Sequence, residues 1–82
     1  TEAFAREAAG FIDRNQKNPF LLYLAFNAVH GPLEATDKYT SRFKDIKDEK
    51  RLKYAGMLSA LDDAVGRVLG KLKELGLEDD TI

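Results

Sequence analysis

The stretch Phe20-Leu-Leu-Tyr-Leu-Ala-Phe26 decides the fold class of this chain. It contains no polar residue, which is typical of a strand that is covered on both faces inside a mainly parallel sheet. A loop over residues 27–36 leaves its carboxyl end. Because such a strand needs neighbouring strands on both edges, and only Thr81 and Ile82 hint at another, the sequence predicts a piece of a larger α/β domain rather than a complete one.

Two helices are predicted around this strand, with one or two helical turns over residues 37–44 between the strand and the second helix. The first covers residues 1–16, with apolar side chains at helical spacing. The second begins at an Asp48 cap and stops at Gly76. Its apolar seam consists of Tyr54, Leu58, Leu61, Val65, Val68, Leu72 and Leu75.

Three glycines interrupt the second predicted helix, namely Gly56, Gly66 and Gly70. Each costs about 1 kcal/mol relative to alanine in a helix interior, so a close approach to the helix backbone is expected to offset them. The sequence identifies no partner for them within the chain, which again indicates polypeptide beyond these residues.

Composition excludes several functional classes. The 82 residues include 13 basic and 14 acidic side chains, one histidine and no cysteine. Disulfides, thiolate nucleophiles and multi-histidine zinc centres are therefore excluded. A net charge of −1 favours neither nucleic acid nor an anionic membrane as a partner. The longest apolar run is far shorter than the roughly 20 residues of a membrane-spanning helix.

His30 is the candidate functional residue, because it follows the carboxyl end of the predicted strand, where α/β proteins collect ligands. A histidine there can donate to an anion or transfer a proton near neutral pH. The structural alternative is a loop histidine bonded to a nearby carbonyl. Asp62 and Asp63 are adjacent on a helix and point about 100° apart, so joint metal chelation is not favoured. They favour structural roles instead, either surface pairing, with Arg67 one turn beyond Asp63, or contact to a neighbouring loop.

Two segments resemble the sulfatase family. The segment from Pro19 to Leu33 is similar to the family's apolar strand that runs into Asn-x-Pro-His-x-Pro. The matching residues are Asn27, His30 and Pro32, whereas Val29 replaces the first proline. The segment from Tyr54 onward resembles the family's long helix with its Asp-x-x-Val-Gly motif, at Asp62, Val65 and Gly66.

The resemblance implies an α/β, alkaline-phosphatase-like domain with a central, mainly parallel sheet, of which residues 1–82 form part. It implies hydrolysis of sulfate esters by a formylglycine nucleophile and a divalent cation, usually calcium. His30 matches the family histidine that contacts the sulfate group, as a catalytic and substrate-binding residue. No metal or cofactor ligand is expected here, and neither Ser41 nor Ser59 lies in a formylglycine motif. The 82 residues alone are therefore expected to be inactive, with the remainder of the domain as their partner. Many family members are periplasmic, secreted or lysosomal.

Two alternatives remain open at this point. A related phosphodiesterase or phosphonate hydrolase would use the same strand and histidine loop. A non-catalytic interaction module would instead associate through the seam of the second helix, because a partner-bound helix and a sheet-packed helix show the same apolar spacing.

Overall fold

The computed structural model describes all 82 residues as three helices, an extended segment and connecting loops. The helices are α1 (Glu2–Asn15), α2 (Asp37–Thr40) and α3 (Glu49–Glu74), and two 3₁₀ turns cover Ser41–Phe43 and Glu78–Asp80. The two predicted long helices and the short helical turns between them are confirmed.

The ends of α3 follow the capping residues of the sequence. At its start, the Asp48 carboxylate accepts a hydrogen bond from the Arg51 amide at 2.8 Å. At its end, Gly76 has φ of +70° and its amide donates to Lys73, while the Leu77 amide donates to Leu72. The helix is about 39 Å long at 1.5 Å per residue, and the molecule measures 47 × 21 × 19 Å. None of the helices combines the length and hydrophobicity that a membrane crossing requires.

The apolar segment, Phe20–Phe26, corrects the strand prediction. It is extended, but the chain contains no β-strand and no sheet. Residues 19–35 form no main-chain hydrogen bond with another main-chain group. The physical reason is that no second extended segment lies alongside it at the spacing that a β-ladder requires.

One side of the apolar segment packs on the helices and the other side is open. Phe20, Leu22, Leu24 and Phe26 are half-buried, whereas Leu21 and Tyr23 are 90% and 88% exposed. The segment runs back along α1, because the ring of Phe26 meets that of Phe4 and the ring of Phe20 meets that of Phe11, with centroids 6.3 and 5.6 Å apart. The alternation is that of a strand with only one face covered.

The core between α1 and α3 is small. Only nine residues of the chain are buried, and Ile12 is the one large side chain that is fully buried. The buried apolar residues of the two helices are Ala5, Ala8, Ala9, Ile12, Ala60, Ala64 and Leu72. The radius of gyration is 15.0 Å, against about 12 Å for a compact globule of this length.

The predicted seam of α3 is only partly correct. Its second half packs, since Leu72 is buried and Val68 is half-buried. In its first half, Tyr54, Leu58 and Val65 are more than 40% exposed. The packed face there consists of small residues instead, because glycine and alanine allow the closest approach between backbones.

Gly56 also corrects the expectation that the glycines of α3 have no partner in the chain. A Cβ atom at Gly56 would lie 2.9 Å from Ala35 Cβ and 3.0 Å from Thr40 Cγ2. Gly66 and Gly70 would meet nothing within 4 Å. One of the three glycines therefore serves a contact within these residues.

Candidate functional site

The His30 loop, residues 27–36, carries the candidate imidazole. His30 is exposed, and its Nδ1 lies 2.7 Å from the carbonyl oxygen of Gly31. Because a carbonyl can only accept, Nδ1 carries the hydrogen of this bond. The predicted structural alternative, a bond to a nearby carbonyl, is thus present, and it leaves Nε2 without a protein partner.

The loop residues of the predicted motif lie together. Asn27, His30 and Pro32 line one open depression, which Glu34 and Met57 also border. Asp62, from the second motif, lies in a different groove beside Phe43, Leu58 and Val65 of the outer side of α3. The structure therefore places the polar loop motif and the helix motif in separate depressions, and Asp62, Val65 and Gly66 of the helix motif are exposed.

A cluster at the start of α1 anchors the far end of the loop. Tyr39 is buried, and its hydroxyl donates to Glu2 Oε1, which also accepts from Lys38 Nζ at 3.2 Å. The hydrogen bond from Tyr39, with help from Lys38, lowers the pKa of Glu2 below its usual value. The same carboxylate raises the pKa of Tyr39 and of Lys38. No local pattern in the sequence indicates this cluster, because Glu2 lies 36 and 37 residues from Lys38 and Tyr39 along the chain.

A second cluster joins the turn after α2 to α3. Arg42 donates to both carboxylate oxygens of Asp63, at 3.1 and 2.8 Å, and to Ser59 Oγ at 2.8 Å. This pairing lowers the pKa of Asp63 and raises that of Arg42. The expected pairing of Asp63 with Arg67 is wrong, because the guanidinium of Arg42 reaches the carboxylate with a bidentate geometry. The other expectation, contact of the acidic pair with a neighbouring loop, is confirmed for Asp63. The segment from Arg42 to Lys53 carries six basic and three acidic residues, a composition that predicts a solvated surface. Its first residue, Arg42, is instead held against α3 by these bonds.

The chain does not supply a fitting site for the calcium ion or the formylglycine that the resemblance implies. No three acidic or histidine side chains group closely enough to hold a metal ion. Both serines are already engaged, since Ser41 Oγ donates to the Lys38 carbonyl and Ser59 Oγ accepts from Arg42. No catalytic step through either group can be assigned to these residues.

The described residues thus join an apolar extended segment, an exposed histidine loop and a long helix in that order along the chain. The chain belongs to the sulfatase family, whose family model matches residues 1–82. It is 41% identical over 64 residues to arylsulfatase J of Mus musculus and 40% identical over 80 residues to the uncharacterized sulfatase YdeN of Escherichia coli. These matches cover 78% and 93% of this chain.

A solved structure gives the same result. The crystal structure of Ps i-CgsB in complex with k-i-k-neocarrahexaose matches 94% of this chain with a TM-score of 0.88 and 46% sequence identity. The chain spans 11% and 14% of the length of the two curated relatives and 18% of the crystallised chain. The recognition as a sulfatase-family segment is therefore confirmed.

Proposed function

We propose that this chain is part of the catalytic domain of an enzyme that hydrolyses sulfate esters, and that His30 contacts the sulfate group. The observation that carries the proposal is the exposed His30 imidazole, whose Nδ1 is occupied by Gly31 and whose Nε2 is free, in a chain that matches sulfatases over its whole length. The family match favours this enzyme over a phosphodiesterase or a helix-mediated interaction module.

The role of His30 follows from the chemistry of its ring. With Nδ1 fixed as a donor to Gly31, a protonated Nε2 donates to an ester or sulfate oxygen. Negative charge grows on the leaving oxygen as the ester bond breaks, and a positioned donor stabilises that charge or hands over its proton. The formylglycine and the divalent cation of the family would come from residues outside this chain.

The backbone arrangement supports an unfinished α/β domain. The apolar segment leaves its main-chain groups unpaired, and Thr81 and Ile82 line the same groove as Phe20 and Leu22. A strand that continues from Thr81 would run beside the apolar segment in the same direction, which is the connection expected of a strand, helix, strand unit. We propose that the remainder of the domain supplies the neighbouring strands of an alkaline-phosphatase-like sheet.

The substrate class is proposed from the relatives. One matched structure holds k-i-k-neocarrahexaose, and N-acetylgalactosamine-6-sulfatase of Sus scrofa is 32% identical over 83 residues. Both names point to a saccharide. We propose a sulfated saccharide as the natural ester, with aryl sulfates as convenient test substrates.

The test uses the intact enzyme with the substitution His30→Ala. We expect kcat for a nitrophenyl sulfate and for a sulfated galactan oligosaccharide to fall by about 10²-fold or more, because one positioned donor is lost at the reacting group. Glu78→Ala, in the exposed turn after α3, is the control and should keep wild-type activity. Undiminished sulfate release by the His30 variant, or a preference for a phosphate diester, would contradict the proposal.

A further inference from the structure

Residues 27–35 form no hydrogen bond between main-chain groups, so the position of the His30 imidazole depends on side-chain contacts at the two ends of the loop. At the upstream end, the Phe26 ring packs edge-on against Phe4 of α1. At the downstream end, the contacts come from Glu2 and Gly56. Both ends of the loop therefore meet the first turn of α1.

The downstream contacts are close and specific. Ala35 and Thr40 approach the backbone of α3 at Gly56 so nearly that a methyl group there would overlap with both. Tyr39, which lies between these two residues in the sequence, is buried, and its hydroxyl donates a hydrogen bond to Glu2. The guanidinium of Arg42 lies 5.0 Å from the centre of the Tyr39 ring and covers it.

We propose that Gly56, Tyr39 and Glu2 are positioning residues for His30, because they clasp the end of its loop to α3 and to the first turn of α1. The inference rests on the proposed function, since it concerns how the same imidazole is placed at the substrate. None of the three lines the depression that holds His30. Their contacts fix the loop and thereby hold His30 Nε2 at the position that the ester oxygen of the bound substrate occupies.

The first experiment compares two glycines of the same helix in the intact enzyme. Gly56→Ala should lower kcat/KM for nitrophenyl sulfate by about tenfold, because displacement of a positioned group by a fraction of an ångström to 1 Å is costly. Gly70→Ala is the matched control, since it adds the same methyl group to the same helix about 21 Å from Gly56, where no residue of this chain lies within 4 Å. Because Gly70 is remote from the His30 loop, kcat/KM should be unchanged. Thermal unfolding of both variants reports whether each folds.

The second experiment asks whether the effect passes through His30. In a His30→Ala background, Gly56→Ala should change kcat/KM by less than about twofold, because a residue that acts only by positioning an imidazole has nothing left to position. A tenfold loss in both backgrounds would overturn the proposal and assign Gly56 to general stability. If His30→Ala itself retains full activity, the proposed function fails, which is a different result.

A milder substitution covers the case in which Gly56→Ala does not fold. Tyr39→Phe keeps the buried ring and removes only the hydroxyl that donates to Glu2. It should lower kcat/KM several-fold in the wild-type background and leave it unchanged in the His30→Ala background. An equal loss of kcat/KM in the two backgrounds, or no loss in either, would overturn the proposal.

Discussion

The helices and the apolar segment of this chain differ in whether their main-chain N–H and C=O groups are hydrogen-bonded. Every hydrogen bond between two main-chain groups lies in the helices, their caps and adjoining turns, and none involves residues 19–35. A helix closes its hydrogen bonds within itself, whereas an extended segment closes them only with neighbouring strands. The difference teaches that these residues specify their helices locally, whereas they provide no partner for the main chain of the extended segment.

The largest expected effect tests the open side of the apolar segment. Leu21 is 90% exposed, so Leu21→Asp should change the stability of the isolated 82-residue chain by less than about 0.5 kcal/mol. In the intact enzyme we expect a loss of about 3–5 kcal/mol, because a second layer of the domain would bury the new charge without a partner. Thermal unfolding of both proteins measures the two effects.

The neighbouring residue Asn18 provides the control for this substitution. Asn18 is exposed and lies before the apolar segment, so Asn18→Asp should be nearly silent in both proteins. If Leu21→Asp were equally harmless in the intact enzyme, the segment would not be an interior strand. The α/β assignment of the domain would then lose its physical basis.

The next effect concerns the helical region, where the contacts are already complete. Ile12 is 1% exposed between α1 and α3, and Ile12→Ala should cost about 3 kcal/mol, from lost burial and the cavity that remains. Ile12→Val is the graded control and should cost about 1 kcal/mol. Urea unfolding followed by helical circular dichroism measures both, and a loss below 1 kcal/mol for alanine would show that this core does not hold the helices together.

Local signals made the helices predictable. Apolar spacing and capping residues placed α1 and α3 within a residue or two of their bounds, because caps and periodicity act over a few residues. The sequence predicted neither the contact of Gly56 with Ala35 nor Arg42 as the loop residue that meets Asp63. They join residues that are distant along the chain, and nothing in a single sequence reports which side chains meet.

The packed face of α3 was also predicted incorrectly in its first half. Counting large apolar residues favoured Tyr54, Leu58 and Val65 as its packed side, yet these are exposed and Ala60 and Ala64 are buried. Close packing of two backbones favours small residues, and hydrophobic spacing alone does not distinguish that side from one covered by polypeptide outside these residues. The candidate site was predicted at His30, and its role in substrate contact stays a prediction.

A smaller effect is expected at the start of α3. Asp48→Ala should destabilise the chain by about 1 kcal/mol, because the Arg51 amide loses its acceptor. Asp48→Asn should retain most of the stability, since asparagine is an equally good cap. Asp45→Ala removes a nearby exposed carboxylate that caps nothing and serves as the control. A loss at Asp45 as large as that at Asp48 would point to net charge rather than capping as the cause.

The smallest expected effect is a pH dependence at the pair that fixes Arg42 to α3. The pKa of Asp63 in the folded chain is depressed below its ordinary value of 3.8 by the hydrogen bonds from Arg42. The unfolded chain therefore binds this proton at a higher pH, and the stabilisation is complete above about pH 4 to 5 and is lost as the pH falls through the folded pKa. Asp63→Asn should make unfolding less sensitive to acid in this range, most clearly at low salt because the pair is half-exposed.

Asp62→Asn, which removes a carboxylate outside the ion pairs of the chain, is the control and should leave the loss of stability at low pH unchanged. If stability fell with acid in the same way for Asp63→Asn and the wild-type chain, the Arg42–Asp63 pair would contribute nothing to stability in solution. Arg42 would then belong to the solvated surface that the basic composition of residues 42–53 predicts.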